Sequence, residues 1–239
     1  MKAQDIPSSA AVAGHGSLQR SASNFIETHP GRSVLSEYEV KMLLKEAGLP
    51  VPKGAFIKGA EAAAHLDLMF PLAAKISVPG IASKSNVGGV RLGIRDRGNL
   101  ENAVADLMRI PGAAGVLVEE MSPPGVEVIV GGIMDSQFGP VVMFGLGGIF
   151  VELFRDVAFA LAPMTRDDAL WLIRQVKGYR LLEGYRGSPP VDIDALAEII
   201  ISIAGLMASR TVEEIDLNPV ALYPRGAMVL DAKMLLKRG

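Results

Sequence analysis

Apolar residues first recur at helical spacing at Val40, Leu43, Leu44 and Ala47, behind Ser36-Glu37-Tyr38-Glu39. That tetrapeptide reads as a capping box, Ser as N-cap with Glu three residues on, so a helix starts there. Gly48 and Pro50 stop it. A short strand over 54–58 and a helix over 59–68, carrying His65, come next. Residues 72–76 form an apolar strand whose one charged member is Lys75. The segment 77–90, rich in Gly, Ser, Pro and Asn, is too long for a simple turn. A strand over 90–94 and an amphipathic helix over 99–110 follow it.

The middle of the chain is mostly β. Branched apolar segments at 115–119, 126–133 and 141–144 are separated by Pro/Gly turns. The cluster Phe144-Gly145-Leu146-Gly147-Gly148-Ile149 enters a further apolar strand, and 157–161 reads as another, closed by Pro163. Thr165 caps a helix through 177, with Asp167 and Asp168 in the first turn, where the helix dipole favours anions. Residues 194–209 form a strongly apolar helix, and 211–217 and 228–230 form two strands around an Asn-Pro turn. Helices and hairpin-joined strands are mixed, which predicts an α+β fold rather than a doubly wound sheet. Residues 1–33 are Ser/Ala/Gly-rich without a sustained apolar period, so they read as a flexible leader holding solvated His15 and His29.

Composition narrows the function. Lys and Arg number 24 against 26 Asp and Glu, for a formal charge of -2. No basic excess exists to hold a phosphate backbone, so nucleic acid is not an expected partner. With no cysteine, disulfides, thiolate metal sites and a Cys nucleophile are excluded together. The longest clean apolar run, 141–151, is about half the roughly 20 residues a spanning helix needs. No membrane span is therefore expected, the N-terminus lacks the apolar core of a secretory signal, and a cytoplasmic address fits. One Trp, four Tyr and eight Phe leave an aliphatic core.

Several residues suit anion and metal chemistry. Lys75, in a buried-looking strand, needs an anion or a route to water. Gly88 and Gly89 let backbone N–H groups approach a phosphate, although Gly-Gly also makes ordinary hairpins. Glu119, Glu120 and Met121 end a strand, and Glu127 follows a Pro-Pro-Gly turn. Acids so placed suit an amino group and ribose hydroxyls, or form a solvated strand end. Arg155 requires a carboxylate or a phosphate, and Asp156 or Glu152 could supply the former. Asn218 and Asp231 offer hard oxygen ligands suited to Mg²⁺ shared with nucleotide phosphates; each alone could equally be a turn former.

In order, LSEYEVKMLLKEAGLPVP, PLAAKISVPGIASKSNVGGVRLGI, VLVEEMSPPGVEVIVGGIMDSQFGPVVMFGLGGIFVELFRDVAFALAPM and EIDLNPVALYPRGAMVLDAK resemble an ATP-grasp domain. They look like the β subunit of ADP-forming acyl-CoA (acetyl-CoA) synthetases, relatives of the succinyl-CoA synthetase β subunit. The resemblance runs from about Val34 to Lys237. It implies two α+β subdomains clasping a nucleotide, 34–120 with the phosphate loop and 121–239 with a magnesium site.

By that resemblance Lys75, Gly88 and Gly89 meet the nucleotide phosphates. Glu119, Glu120 and Met121 form the adenine hinge, and Glu127 faces the ribose. Arg155 contacts the transferring group, and Asn218 and Asp231 hold Mg²⁺. The implied reaction converts ADP, phosphate and acyl-CoA to ATP, acid and CoA through phosphohistidine, with CoA handled by a partner α subunit. One departure stands out. Where the family's loop carries a relay histidine and an acid, this chain has Ser83 and Asn86. A serine hydroxyl is no readily reversible N-phosphoryl carrier. The resemblance therefore implies a ligase subunit, or alternatively a nucleotide-binding module without turnover.

Overall fold

The computed structural model describes residues 16–78, 84, 87–148, 151 and 153–237. They divide into two compact units. The smaller comprises Ser36–Glu39 and Pro52–Pro123; the larger comprises Met1–Leu35, Val40–Val51 and Pro124–Gly239. Both are α+β, with antiparallel sheets throughout. The chain passes from the smaller unit to the larger between Pro123 and Pro124, and the larger unit also takes in chain from before the smaller one.

The smaller unit is a four-stranded sheet ordered β1-β4-β2-β3, from β1 (Gly54–Ile57), β2 (Leu72–Ser77), β3 (Val90–Ile94) and β4 (Gly115–Glu120). Helix α4 (Arg97–Met108) starts where the Asp96 carboxylate accepts the Asn99 N–H. It lays Leu100, Val104 and Leu107 against Leu72, Ala74, Ile76, Val116 and Val118. The expected helix over 59–68 shortens to α3 (Ala60–Ala63), leaving His65 in the turn that follows.

In the larger unit β10 (Ala232–Leu236), β8 (Val212–Leu222), β5 (Val126–Asp135), β6 (Gly139–Leu146) and β7 (Val157–Leu161) lie side by side in that order. Strand β9 (Ala227–Val229) pairs with β8. Helix α6 (Ile193–Ala208) is buried along most of its length, including Leu196, Ile200, Ile203 and Leu206, as an all-round apolar helix must be. It packs on the sheet, and α5 (Arg166–Arg174) and α1 (Ser17–Thr28) pack on it. Helix α5 carries a complete capping box between Thr165 and Asp168. Each fully buried Leu or Ile contributes about 1.5–3 kcal/mol of transfer free energy.

The leader expectation does not hold for residues 17–28, which form α1 with Leu18 and Ala22 buried. Leu18, Ala22, Phe25 and Ile26 carry a helical stripe that surrounding serines and alanines obscure. Helix α2 (Glu37–Glu46) has the expected capping box: Glu39 accepts the Ser36 N–H at 2.8 Å, and Ser36 Oγ accepts the Glu39 N–H at 3.3 Å. Its first turn groups with the smaller unit and its remainder with the larger. Among the described residues no helix is long and apolar enough to cross a membrane.

Candidate functional site

In the smaller unit the structure brings Lys75 and Glu119 together. Lys75 is on β2 and Glu119 on the adjacent β4, where the register pairs Ala73 with Glu119 and Lys75 with Leu117. Both side chains thus leave the same face. Lys75 Nζ stands 3.0 Å from Glu119 Oε2 and donates to Glu37 Oε1 at 2.8 Å. Glu37 also pairs with Lys84. All four side chains are nearly buried, so each cation has a carboxylate beside it and desolvation is offset. Lys75 and Lys84 are thus each held against a carboxylate.

The two glycines of the same region serve different ends. Gly88 has φ of +63°, a left-handed conformation that favours glycine. Gly89 has no room for a side chain: a Cβ would stand 2.3 Å from Ile76 Cγ2 and 2.9 Å from the Lys84 carbonyl oxygen. Its N–H donates to the Lys84 carbonyl and its own carbonyl accepts the Ile76 N–H, each at 2.8 Å. Ser83 and Asn86 lie outside the described residues.

The expected hinge is contiguous, but its side chains diverge. Glu119 turns to Lys75. Glu120 Oε1 accepts the Met69 N–H at 2.9 Å, and the Met121 sulfur accepts the Gly93 N–H at 2.9 Å. Backbone and thioether, rather than the Glu119 carboxylate, are what this segment presents beside β3.

In the larger unit the structure brings Asn218 and Asp231 together. They sit where β8 passes the junction of β9 and β10, and the Asn218 N–H donates to the Asp231 carbonyl at 3.1 Å. Asp216, two residues along β8, pairs in register with Lys233. Burial pushes the Asp216 carboxyl above the usual carboxylate range; Lys233 opposes this, while Asp231 and Glu214 add to it. Asp216 was not singled out from sequence, although its alternation with Asn218 along a strand was a signal that both share a face.

Glu127 lies on β5, and its carbonyl accepts the Gly147 N–H at 2.8 Å. A Cβ on Gly147 would stand 2.9 Å from that oxygen, so the glycine cluster runs tight beside Glu127. Arg155 is exposed, with φ of +49°. The expected Asp156 counter-ion is engaged elsewhere: its oxygens accept the N–H groups of Lys177 at 2.7 Å and Gly178 at 2.8 Å. Glu152 lies outside the described residues.

The donor set of the larger unit fits Mg²⁺. Asn and Asp oxygens are hard ligands, and Mg²⁺ typically takes one or two protein carboxylates, completing its shell with water and phosphate. Among the described residues no group of three or more His, Cys, Asp or Glu side chains forms an all-protein metal cage.

Comparison with known proteins extends this geometry. A family model described as an ATP-grasp domain matches residues 27–236. The chain is 43% identical over 212 residues to acetate–CoA ligase [ADP-forming] I subunit beta of Pyrococcus furiosus, covering 84% of this chain and 91% of that one. It is 41% identical over 205 residues to acetate–CoA ligase [ADP-forming] II of Archaeoglobus fulgidus, covering 85% of this chain but 30% of that protein. Among solved structures, the acetyl-coenzyme A synthetase 1 of Ca. Korarchaeum cryptofilum in complex with coenzyme A and Ca-AMPCP superposes with a TM-score of 0.85. The identity there is 40%, over 92% of this chain and 100% of that one.

Proposed function

Because the chain belongs to the ATP-grasp family, in the branch of ADP-forming acetyl-CoA synthetase β subunits, we propose that it is the nucleotide-handling subunit of an ADP-forming acid–CoA ligase. In this reading it transfers a phosphoryl group between ADP/ATP and a phosphohistidine on a CoA-binding α subunit. The observation that carries it is that the chain holds two side-chain sets of opposite sign, one in each unit. Lys75 with Lys84 suits phosphate oxygens, and Asn218 with Asp231 suits the accompanying cation.

Asn218 and Asp231 would hold Mg²⁺, which when bound neutralises charge on the phosphate oxygens. Lys75 binds and orients the phosphates, kept charged and extended by Glu37 and Glu119. Backbone N–H groups around Gly88 and Gly89 line the phosphate side, Glu120 and Met121 the base side, and Glu127 the ribose side. Arg155 supplies a mobile charge for the transferring group. Positioning and charge neutralisation are the main catalytic terms in phosphoryl transfer, so no covalent role is needed from this chain. Ser83 at the family's relay position favours a second reading, a nucleotide-binding module without turnover.

Calorimetric titration of the full chain with ADP, with and without Mg²⁺, tests the binding half. Magnesium-dependent binding is expected, weakened at least tenfold in Asp231→Asn; no binding at millimolar nucleotide overturns both readings. Mixing the chain with a CoA-binding subunit of such an enzyme separates them. ATP formation from ADP, phosphate and acetyl-CoA supports the ligase, whereas Mg·ADP binding without turnover supports the module.

A further inference from the structure

We propose that Lys41 is a positioning residue for the Asn218/Asp231 pair, an inference that rests on the magnesium reading above. Lys41 lies on α2 among Val40, Leu43 and Leu44, and is only 4% exposed. Lysines at such positions ordinarily snorkel to water, because burying an ammonium costs several kcal/mol unless it is met by charge or hydrogen bonds. Lys41 instead reaches across the unit: its Nζ donates to the Leu230 carbonyl at 2.8 Å.

That carbonyl is at a particular place. Residues 230 and 231 form the junction between β9 and β10, where the ladder with β8 is not continuous. Leu230 N–H donates to the Pro219 carbonyl at 2.9 Å, and Asn218 N–H donates to the Asp231 carbonyl at 3.1 Å. The junction is therefore tied to β8 through Asn218 and Pro219 and to α2 through Lys41. Releasing the Lys41 tether frees the segment that carries Asp231 and, through it, the spacing to Asn218.

The Lys41 ammonium is also a buried cation one residue from Asp231, in a unit where Asp231 and Glu214 act on Asp216 as like charges. It holds the backbone and limits the mutual repulsion of the acids before a divalent cation arrives. Groups that orient metal ligands from behind typically account for about 10–100-fold in metal affinity.

The test uses the full chain with saturating ADP and Mn²⁺ as the probe metal, free Mn²⁺ being read by electron paramagnetic resonance. Measurements are made at a temperature where circular dichroism shows every variant folded. Lys41→Met should raise the Mn²⁺ Kd about 10–100-fold. Lys41→Arg, which keeps a buried cation, should recover part of the loss. Lys41→Gln keeps a donor without the charge and carries the test if Lys41→Met does not fold; a loss of about tenfold is expected. A lowered Tm with an unchanged Mn²⁺ Kd in these variants makes Lys41 merely structural and overturns the proposal. Asp231→Asn distinguishes the two levels. If it weakens Mn²⁺ while Lys41→Met and Lys41→Gln do not, positioning by Lys41 is wrong and the metal pair stands. If Asp231→Asn leaves Mn²⁺ binding unchanged, the metal reading itself fails and takes the proposal with it.

Discussion

The two units handle buried charge in opposite ways. In the smaller, Lys75 and Lys84 are interleaved with Glu37 and Glu119, and each cation lies against a carboxylate. In the larger, Asp216, Asp231 and Glu214 gather near one exposed lysine, Lys233, and burial with the neighbouring acids leaves the Asp216 carboxyl above its usual range. The first arrangement sets each lysine against a carboxylate; in the second the acids lie near Lys233, and the Lys41 ammonium is bonded to the Leu230 carbonyl, one residue from Asp231. On the proposed reading the first arrangement would meet phosphate oxygens and the second a divalent cation.

The largest effect expected from this contrast is on stability. Lys75→Met leaves Glu37 and Glu119 buried without the cation between them. Removing one partner of a buried pair costs about 3–5 kcal/mol. Asp231 in the larger unit is partly exposed, so Asp231→Asn should cost less than about 1 kcal/mol in the absence of metal. Urea unfolding of both variants measures this. A loss below about 1 kcal/mol for Lys75→Met would mean that the smaller unit's ion pairs are not the compensated network described.

Much of the fold, and fewer of these partnerships, could be read in the sequence. Capping boxes at Ser36 and Thr165 and the apolar period of α6 announced themselves locally. Asn218 and Asp231, read as a pair, are joined by a backbone hydrogen bond. Helix α1 was hidden because serine and alanine dilute its stripe, and β10 because it begins inside the charged Leu230-Asp231-Ala232-Lys233 segment. Glu37 was legible as the second residue of a capping box, not as the counter-ion of a lysine 38 residues away. Lys41 was hidden further still: its partner lies 189 residues on, and nothing local distinguishes a buried lysine from a solvated one at the edge of a helical stripe. Local chemistry is printed in the chain; charge compensation depends on register between distant strands.

A second effect, smaller than that of Lys75→Met, sharpens the comparison through pH. In the metal-free protein the folded state raises the Asp216 pKa above the ordinary 3.8, chiefly by burial. The native state then binds the proton more tightly than the unfolded chain. Stability contributed by the protonated acid is complete below the ordinary value and lost as pH rises through the raised one. Asp216→Asn cannot titrate. Its Tm should exceed that of the parent at pH 7, and the difference should close on acidification below the ordinary carboxylate range. Thermal melts of both proteins from about pH 3, below the ordinary carboxylate value, to about pH 7 check this. A gap that widens on acidification would give Asp216 a lowered pKa and break the contrast.

The smallest effect concerns Lys233, the cross-strand neighbour of Asp216. It is a lysine in the charge cluster of its unit, as Lys75 is, but it is exposed. Solvent screens an exposed pair, and such pairs contribute about 0–1 kcal/mol. Lys233→Met should therefore lower stability by no more than that, several times less than Lys75→Met. Its electrostatic signature should still be visible. Lys233 is the one group that pulls the Asp216 carboxyl downward, against burial, Asp231 and Glu214. Removing it should move the Asp216 titration to higher pH, followed by carbon-13 NMR of the carboxyl in metal-free protein. A shift without a matching stability loss would show that Lys233 tunes the acids rather than holding the fold, which is the difference between the two units reduced to one residue in each. No shift would mean that solvent already screens Lys233 from Asp216, and the larger unit would then carry its acids with even less compensation than the register suggests.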